Sequence, residues 1–330
     1  GGTATSRFIV LGSAAYTGPT VVAANSELQT NWVVATGGVQ TPFGAGTNGL
    51  GSPVTLGANS ILTFYSYNAP ATIAVGSLSS TSPTAVVHGE GGGPHTINLG
   101  GDNTDASYAG VIRDDGSAMS IVKVGSGAQT LTGASGYTGG TIVNDGTLLV
   151  DNTSGSGTGA GTVTVNGGLL GGTGTIGGNV MINAGGTISA GDSPGHLVLN
   201  AGYNQVALGT LLAEIGSNEQ GITYDWIEVA GTATLNPGAI IDINWYGSFV
   251  GGGPFDILTA AGGITNANLD DILLLGDGAP YGEHEWKASI VSLGGSAEAV
   301  RLELVPEPTS LLLLGLAGTG LGGYLRRRRR

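Results

Sequence analysis

Tyr137-Thr-Gly-Gly-Thr-Ile-Val-Asn-Asp-Gly-Thr-Leu-Leu-Val, residues 137–150, sets two short apolar runs on either side of an Asn-Asp-Gly turn. Its first half has an earlier copy in Tyr16-Thr-Gly-Pro-Thr-Val-Val-Ala-Ala-Asn. Similar apolar triplets recur in Gly161-Thr-Val-Thr-Val-Asn, Gly178-Asn-Val-Met-Ile-Asn and Gly186-Thr-Ile-Ser-Ala. Strands of four or five residues, each closed by Asn-Gly, Asp-Gly or Gly-Gly, therefore return every ~8 to 20 residues. That is the spacing of a solenoid.

A parallel β-helix satisfies such a pattern without hairpins. Each coil stacks on the one below at ~4.8 Å, so a short strand pairs with its equivalent one coil away. Inward Val, Ile and Leu then build one continuous core, and Thr, Ser and Asn stack outside in ladders. Glycine is expected at corners where φ is positive or where coils approach closely. At ~22 residues per coil, residues 1–305 make about 14 coils and a rod of roughly 65 Å. The competing all-β arrangement, a pair of sandwiches, would need longer strands and turns less uniformly glycine.

Composition agrees with the all-β reading. The 330 residues include 64 glycines, about a fifth of the chain against a usual ~7%. Charged residues make up 10%, against a usual ~25%, and the mean hydropathy is positive, so neither a disordered acidic tail nor an ordinary charged enzyme surface fits. Of ten Lys and Arg, five form the terminal run Arg326 to Arg330. That leaves Arg7, Arg113, Lys123, Lys287 and Arg301 against 23 acids, a net of −18. A body so acidic, with no basic stripe, cannot neutralise phosphates, which excludes nucleic acid as a partner. The absence of cysteine excludes disulfides, thiolate metal sites and a cysteine nucleophile.

Four regions are expected: N-terminal coils over 1–104, repeat coils over 105–200, C-terminal coils and a cap over 201–304, and a tail over 305–330. Region 201–304 differs in texture. It holds Trp226, Trp245 and Trp286 and longer apolar runs such as Ile272-Leu-Leu-Leu. A solenoid needs a cap because its open last coil is a sheet edge that invites polymerisation, so a chain ending near Asn200 is expected to aggregate. At the other end Gly1 to Ser6 is small and polar, and Phe8 to Leu11 is too short for a signal-peptide core. The start therefore reads as a mature terminus or a truncated fragment.

The tail has three parts in fixed order. Pro306-Glu307-Pro308 is stiff and extended, because each proline fixes φ and biases its predecessor away from helix. Residues 309–325 carry no charge and, as a short transmembrane helix, would span about 25 Å at ~1.5 Å per residue. Arg326, Arg327, Arg328, Arg329 and Arg330 then act as a stop-transfer run that stays cytoplasmic, placing residues 1–305 across the membrane. This arrangement resembles the PEP-CTERM sorting signal of exported Gram-negative proteins. The resemblance implies processing by an exosortase, a transpeptidase-like membrane enzyme, near the sorting motif Pro306-Glu307-Pro308. It also implies a precursor held transiently in the inner membrane and a mature form at the cell surface, outer membrane or extracellular matrix.

The repeats resemble the autotransporter-associated β-strand repeat of bacterial passenger domains. The residues that carry the likeness are Tyr108-Ala-Gly-Val-Ile-Arg-Asp-Asp-Gly, Ile121-Val-Lys-Val-Gly-Ser-Gly-Ala-Gln-Thr-Leu-Thr-Gly, Tyr137-Thr-Gly-Gly-Thr and Asp145-Gly-Thr-Leu-Leu-Val. Gly191-Asp-Ser-Pro-Gly-His-Leu, Tyr224-Asp-Trp-Ile-Glu-Val-Ala-Gly and Phe255-Asp-Ile-Leu-Thr-Ala look like the segment that closes such helices. In place of a C-terminal membrane barrel stands the sorting tail, so self-secretion through an outer-membrane pore is not expected.

Few motifs carry chemistry. Gly191-Asp-Ser193-Pro-Gly195 fits G-x-S-x-G, yet a strand pattern follows where a nucleophile elbow needs a helix. Gly172-Thr-Gly174-Thr-Ile-Gly177 fits a dinucleotide fingerprint with the same defect. His88, His95, His196 and His284 are scattered, with only His88 and His95 near ligand spacing, and Glu283-His284-Glu285 reads as a solvated loop. Asp102, Asp105, Asp114 and Asp115 offer oxygen ligands for incidental Ca²⁺ but lack an EF-hand frame.

A β-helix polysaccharide lyase or hydrolase is the enzymatic alternative, and Arg113-Asp114-Asp115 is its one compact candidate. Five scattered body cations supply an anionic-sugar lyase poorly. The sequence reading is a non-catalytic exported rod, without cofactor or metal, acting as a structural or adhesin-like protein on exopolysaccharide or other surface glycans in a biofilm.

Overall fold

The computed structural model describes residues 6–11, 18–32, 39–40, 42, 51–67, 70–191, 194–217, 219–245, 253–265, 269–276 and 284–306. Short strands bounded by glycine turns find their partners one coil later, parallel as far as the C-terminal hairpin, and two or three such strands close each turn of the coil. The first face begins as a five-stranded sheet from Ser6–Leu11 to Val111–Asp114. The second joins Thr20–Val22, Val54–Leu56 and Leu78–Ser79 to an eight-stranded sheet through a Ser80–Tyr108 bridge. The third is a ten-stranded sheet from Val39–Gln40 to Ile264–Thr265.

Register is strict because a slip by one residue would turn every apolar side chain outward. Ile97, Ile121, Thr141, Val163, Val180, Tyr203 and Ala233 stand one above another on the third face, all buried. Leu148, Leu170, Ile188, Leu211 and Ile241 form the matching column on the second. The repeat tyrosine Tyr137 is fully buried, with its hydroxyl 2.6 Å from Thr141 Oγ1. Outside, Asn166 Nδ2 donates to Asn144 Oδ1 at 3.0 Å and Asn183 Nδ2 to Asn166 Oδ1 at 2.7 Å, an asparagine ladder along one corner.

The coils are less uniform than the repeat implies. Val163 pairs with Val180, seventeen residues on, but Tyr203 with Ala233, thirty on, and Glu27 with Ile61, thirty-four on. Among the described residues the second face therefore holds eleven rungs, about 50 Å at ~4.8 Å each, against the 14 expected. The tight period belongs to the central repeat alone; the end coils carry extra loop residues. Where coils are shortest, the first face thins to single bonds such as Gly136 N–H to Ile112 O at 2.8 Å and Gly157 N–H to Thr175 O at 2.9 Å. It then widens again through Thr175–Ile176 into a six-stranded sheet.

Among the described residues there is no α-helix, only one 3-10 turn at Leu269–Asp271, and no helix long and apolar enough to cross a membrane. The expected membrane segment 309–325 lies outside them.

Candidate functional site at the C-terminal cap

The parallel pattern ends in an antiparallel hairpin. His284–Gly294 and Ala297–Pro306 pair through a turn at Gly294-Gly295, both glycines at positive φ, and Ala297–Pro306 lies antiparallel on Phe255–Ala260. The period-2 pattern of Trp286-Lys-Ala-Ser-Ile-Val against Val300-Arg-Leu-Glu-Leu explains the pairing. Val300 and Leu302 face the core, and Trp286 packs on Phe255 and Trp245 with ring centroids 6.0 Å away in each case. Arg301 grips Asp256 in a fork, Nε to Oδ1 at 2.6 Å and Nη2 to Oδ2 at 2.9 Å, which holds the guanidinium above its ordinary pKa. The hairpin thus covers the edge of Phe255–Ala260, the last parallel strand of the first face.

Pro306 is the final residue of this hairpin, opposite His284. The body therefore runs into the sorting motif without a spacer. Glu307, Pro308, residues 309–325 and Arg326, Arg327, Arg328, Arg329 and Arg330 lie outside the described residues. The expected solvated loop at Glu283-His284-Glu285 is corrected from 284 onward: His284 and Glu285 belong to the strand, because alternation there meets a complementary strand at 297–306.

The other sequence candidates, His95 excepted, occupy corners or outer faces. Gly191 and Gly195 fold against each other, a strand at His196–Leu199 follows, and Ser193 lies outside the described residues. The turn is held by Asp225, buried among Gly195 N–H (3.0 Å), Glu214 N–H (3.1 Å) and Ser189 Oγ (3.0 Å). Burial pushes Asp225 up to about 7, its hydrogen bonds opposing. After Gly172 and Gly174 comes strand Thr175–Ile176, with no helix N-terminus for a phosphate.

His196 stacks on Trp226 at 3.8 Å and lies 2.9 Å from Glu228. Asp102 accepts from Ser77 and Asp105 from the Ala128 N–H, so these two serve different corner contacts. Asp114 likewise accepts from Met119 N–H and Thr138 Oγ1.

His88 and His95 are not brought together as a ligand pair. His95 points into the core beside Met119, fully buried, and neither ring nitrogen has a partner among the described residues. Burial lowers its pKa to about 4. His88 instead lies on the outer side of the first face, 2.9 Å from Asp115 and 4.0 Å from Glu90. Arg113 Nη2 is 3.7 Å from Asp115. Glu90 and Thr63, which complete this group, carry no motif. Only register across coils makes them neighbours.

The model of the passenger-associated-transport-repeat family matches residues 121–150, which form the narrow central coils, and that of the PEP-CTERM protein-sorting motif matches residues 304–330, from the end of the cap hairpin onward. No curated protein matches the chain. A PEP-CTERM motif is a substrate signal for exosortase processing, with export and membrane-anchored sorting as its consequence. The chain is thus an exported protein whose parallel β-helix contains a passenger-type repeat and whose C-terminal end carries a PEP-CTERM sorting signal.

Proposed function

We propose that the chain is a non-catalytic structural rod, cut by an exosortase near Pro306-Glu307-Pro308 and delivered to the cell surface or extracellular matrix, where its uncharged faces hold exopolysaccharide. The observation that carries this reading is the direct passage of the last cap strand into the sorting motif at Pro306. A folded, capped body then leaves the membrane intact once the tail is removed. The outer ladders support the glycan partner. On the third face Thr162, Asn179, Asn204, Thr232 and Thr234 surround Met181 in a groove of hydroxyls and amides around an apolar floor, a surface suited to neutral sugars. The body cations are largely committed: Arg7 to Glu27, Arg113 to Asp115, Arg301 to Asp256, and Lys123 to backbone carbonyls, which leaves little to bind uronates.

The test is intact mass and fractionation in a host with the exosortase and one without. A mature chain ending near Pro306, outside the inner membrane, only when the exosortase is present supports the reading. Persistence of the terminal arginines in the inner membrane of both hosts overturns it. Retention of the mature body on exopolysaccharide without release of sugar ends supports the structural role, and release of reducing or unsaturated ends refutes it.

A further inference from the structure

Two outward columns run along the third face. Thr162, Asn179, Gly202 and Thr232 stand just before successive strands; Thr164, Met181, Asn204 and Thr234 lie two residues further on and pair rung to rung. Gly202 is the one position among these eight without a side chain, and a groove of about 330 Å³ lies there, with half-buried Met181 in its lining. That volume is at the small end of ligand sites, roughly 300–1,000 Å³.

Both groove asparagines have their amides oriented by groups that can only donate. Gly202 N–H donates to Asn179 Oδ1 at 2.8 Å. Asn236 Nδ2 donates to Asn204 Oδ1 at 2.8 Å and to Gln205 O at 2.9 Å, so the Asn236 amide cannot be turned round without losing the second bond. Each groove asparagine therefore has its oxygen engaged, while its Nδ2 has no acceptor among the described residues and remains a pair of N–H donors for the groove it lines. Thr232 Oγ1 gives its proton to Gly262 O at 3.4 Å and keeps lone pairs that can accept. Fixed amide donors, a hydroxyl acceptor and a methionine side by side match the three parts of an acetamido group: carbonyl, N–H and methyl. A bare sugar hydroxyl offers no methyl to Met181. A carboxylate would suit the amide donors but not the surroundings, since no cationic side chain lines the groove and the chain outside its terminal arginine run sets five cations against 23 acids.

On the basis of the glycan-holding role proposed above, we infer that this groove is a subsite for an N-acetylhexosamine unit of a neutral polysaccharide. The acetyl carbonyl accepts from one asparagine Nδ2 and a ring hydroxyl accepts from the other. The acetamido N–H donates to Thr232 Oγ1, and the methyl packs on Met181, whose flexible thioether adapts to it.

The test is ligand-observed NMR titration of the full chain, kept in a detergent without a sugar headgroup because of residues 309–325. The probes are tri-N-acetylchitotriose and, separately, cellotriose, which carries a hydroxyl in place of each acetamido group. Saturable binding of tri-N-acetylchitotriose is expected, at least about tenfold tighter than that of cellotriose. Asn179→Asp and Asn204→Asp keep the oxygen that accepts from Gly202 or Asn236 and replace only the N–H donors, at surface positions that spare the fold. Each should weaken binding about fivefold or more. Asn98→Asp, which adds the same charge to the Met181 column four coils earlier, should leave binding unchanged. Equal affinity for the two sugars, no saturable binding of tri-N-acetylchitotriose, or binding indifferent to both groove variants overturns the subsite. If the mature body is still retained on exopolysaccharide in that case, the subsite alone has failed. Binding of tri-N-acetylchitotriose without such retention supports the subsite and removes the exopolysaccharide role.

Discussion

The ammonium of Lys123 donates to the backbone carbonyl of Asp145, one coil further along, at 3.3 Å, and to Val124 O and Gly125 O at 2.8 Å each. Lys123 stands in the inward column between Leu99 and Val143 and is fully buried. Burial lowers its pKa, with Asp145, Asp102 and Asp105 pulling the other way. A charge is tolerated inside because its three protons meet three corner carbonyls. Lys123→Met keeps the apolar stem but removes those donors, and a loss of about 2–3 kcal/mol is expected in urea unfolding followed by circular dichroism.

Two buried groups titrate in opposite senses. His95 takes its proton near pH 6.5 when unfolded but only at about 4 when folded, so between these values the unfolded chain binds more protons. Stability from this group is present above pH 6.5 and falls by about 3 kcal/mol as pH drops to 4. Asp225 moves from 3.8 to about 7, so its contribution is present below pH 3.8 and is lost as pH rises through 7. Together they should leave the stability of the protein nearly flat from pH 4.5 to 6.5. His95→Leu unmasks Asp225: its midpoint in urea should climb as pH falls from 7 to 5. A midpoint that falls over that range contradicts the assignment. At pH 7 the same variant should be no less stable than the parent, because His95 forfeits no hydrogen bond among the described residues.

Corner glycines differ in what they must avoid. Gly172 has φ +114°, and a Cβ there would collide with the backbone of Val150 in the preceding coil. Gly116 has φ +87° but nothing within 4 Å. Gly172→Ala should therefore cost more than about 3 kcal/mol, and Gly116→Ala about 1 kcal/mol, from backbone strain alone. Thermal unfolding of the two variants side by side measures the difference.

The cap depends on its aromatic contact. Trp286→Ser removes the packing on Phe255 and Trp245, and a loss of about 2 kcal/mol is expected, discounted for the half-exposed ring. Loosening the hairpin uncovers the edge of Phe255–Ala260, so concentration-dependent association should appear in light scattering. Association equal to that of the parent would assign edge protection to another element.

Much of this molecule is determined by local chemistry. The glycine-closed triplets around Tyr137-Thr-Gly-Gly-Thr force short strands that pair only across coils, and Pro306-Glu307-Pro308 followed by an apolar run and arginines spells out sorting. These are features of neighbours in sequence, each legible from spacing and residue type. Lys123 was legible in principle, since it shares the inward parity of Ile121, but parity alone names no partner. The tertiary structure decided everything that depends on coil length: eleven rungs among the described residues in place of 14, the corner that receives Lys123, and the meeting of Thr63, His88, Glu90 and Asp115. A coil lengthened by a few loop residues changes which side chains stack while leaving the strand pattern untouched, so neighbours across rungs are set by the accumulated loop lengths of the whole solenoid and not by any local motif.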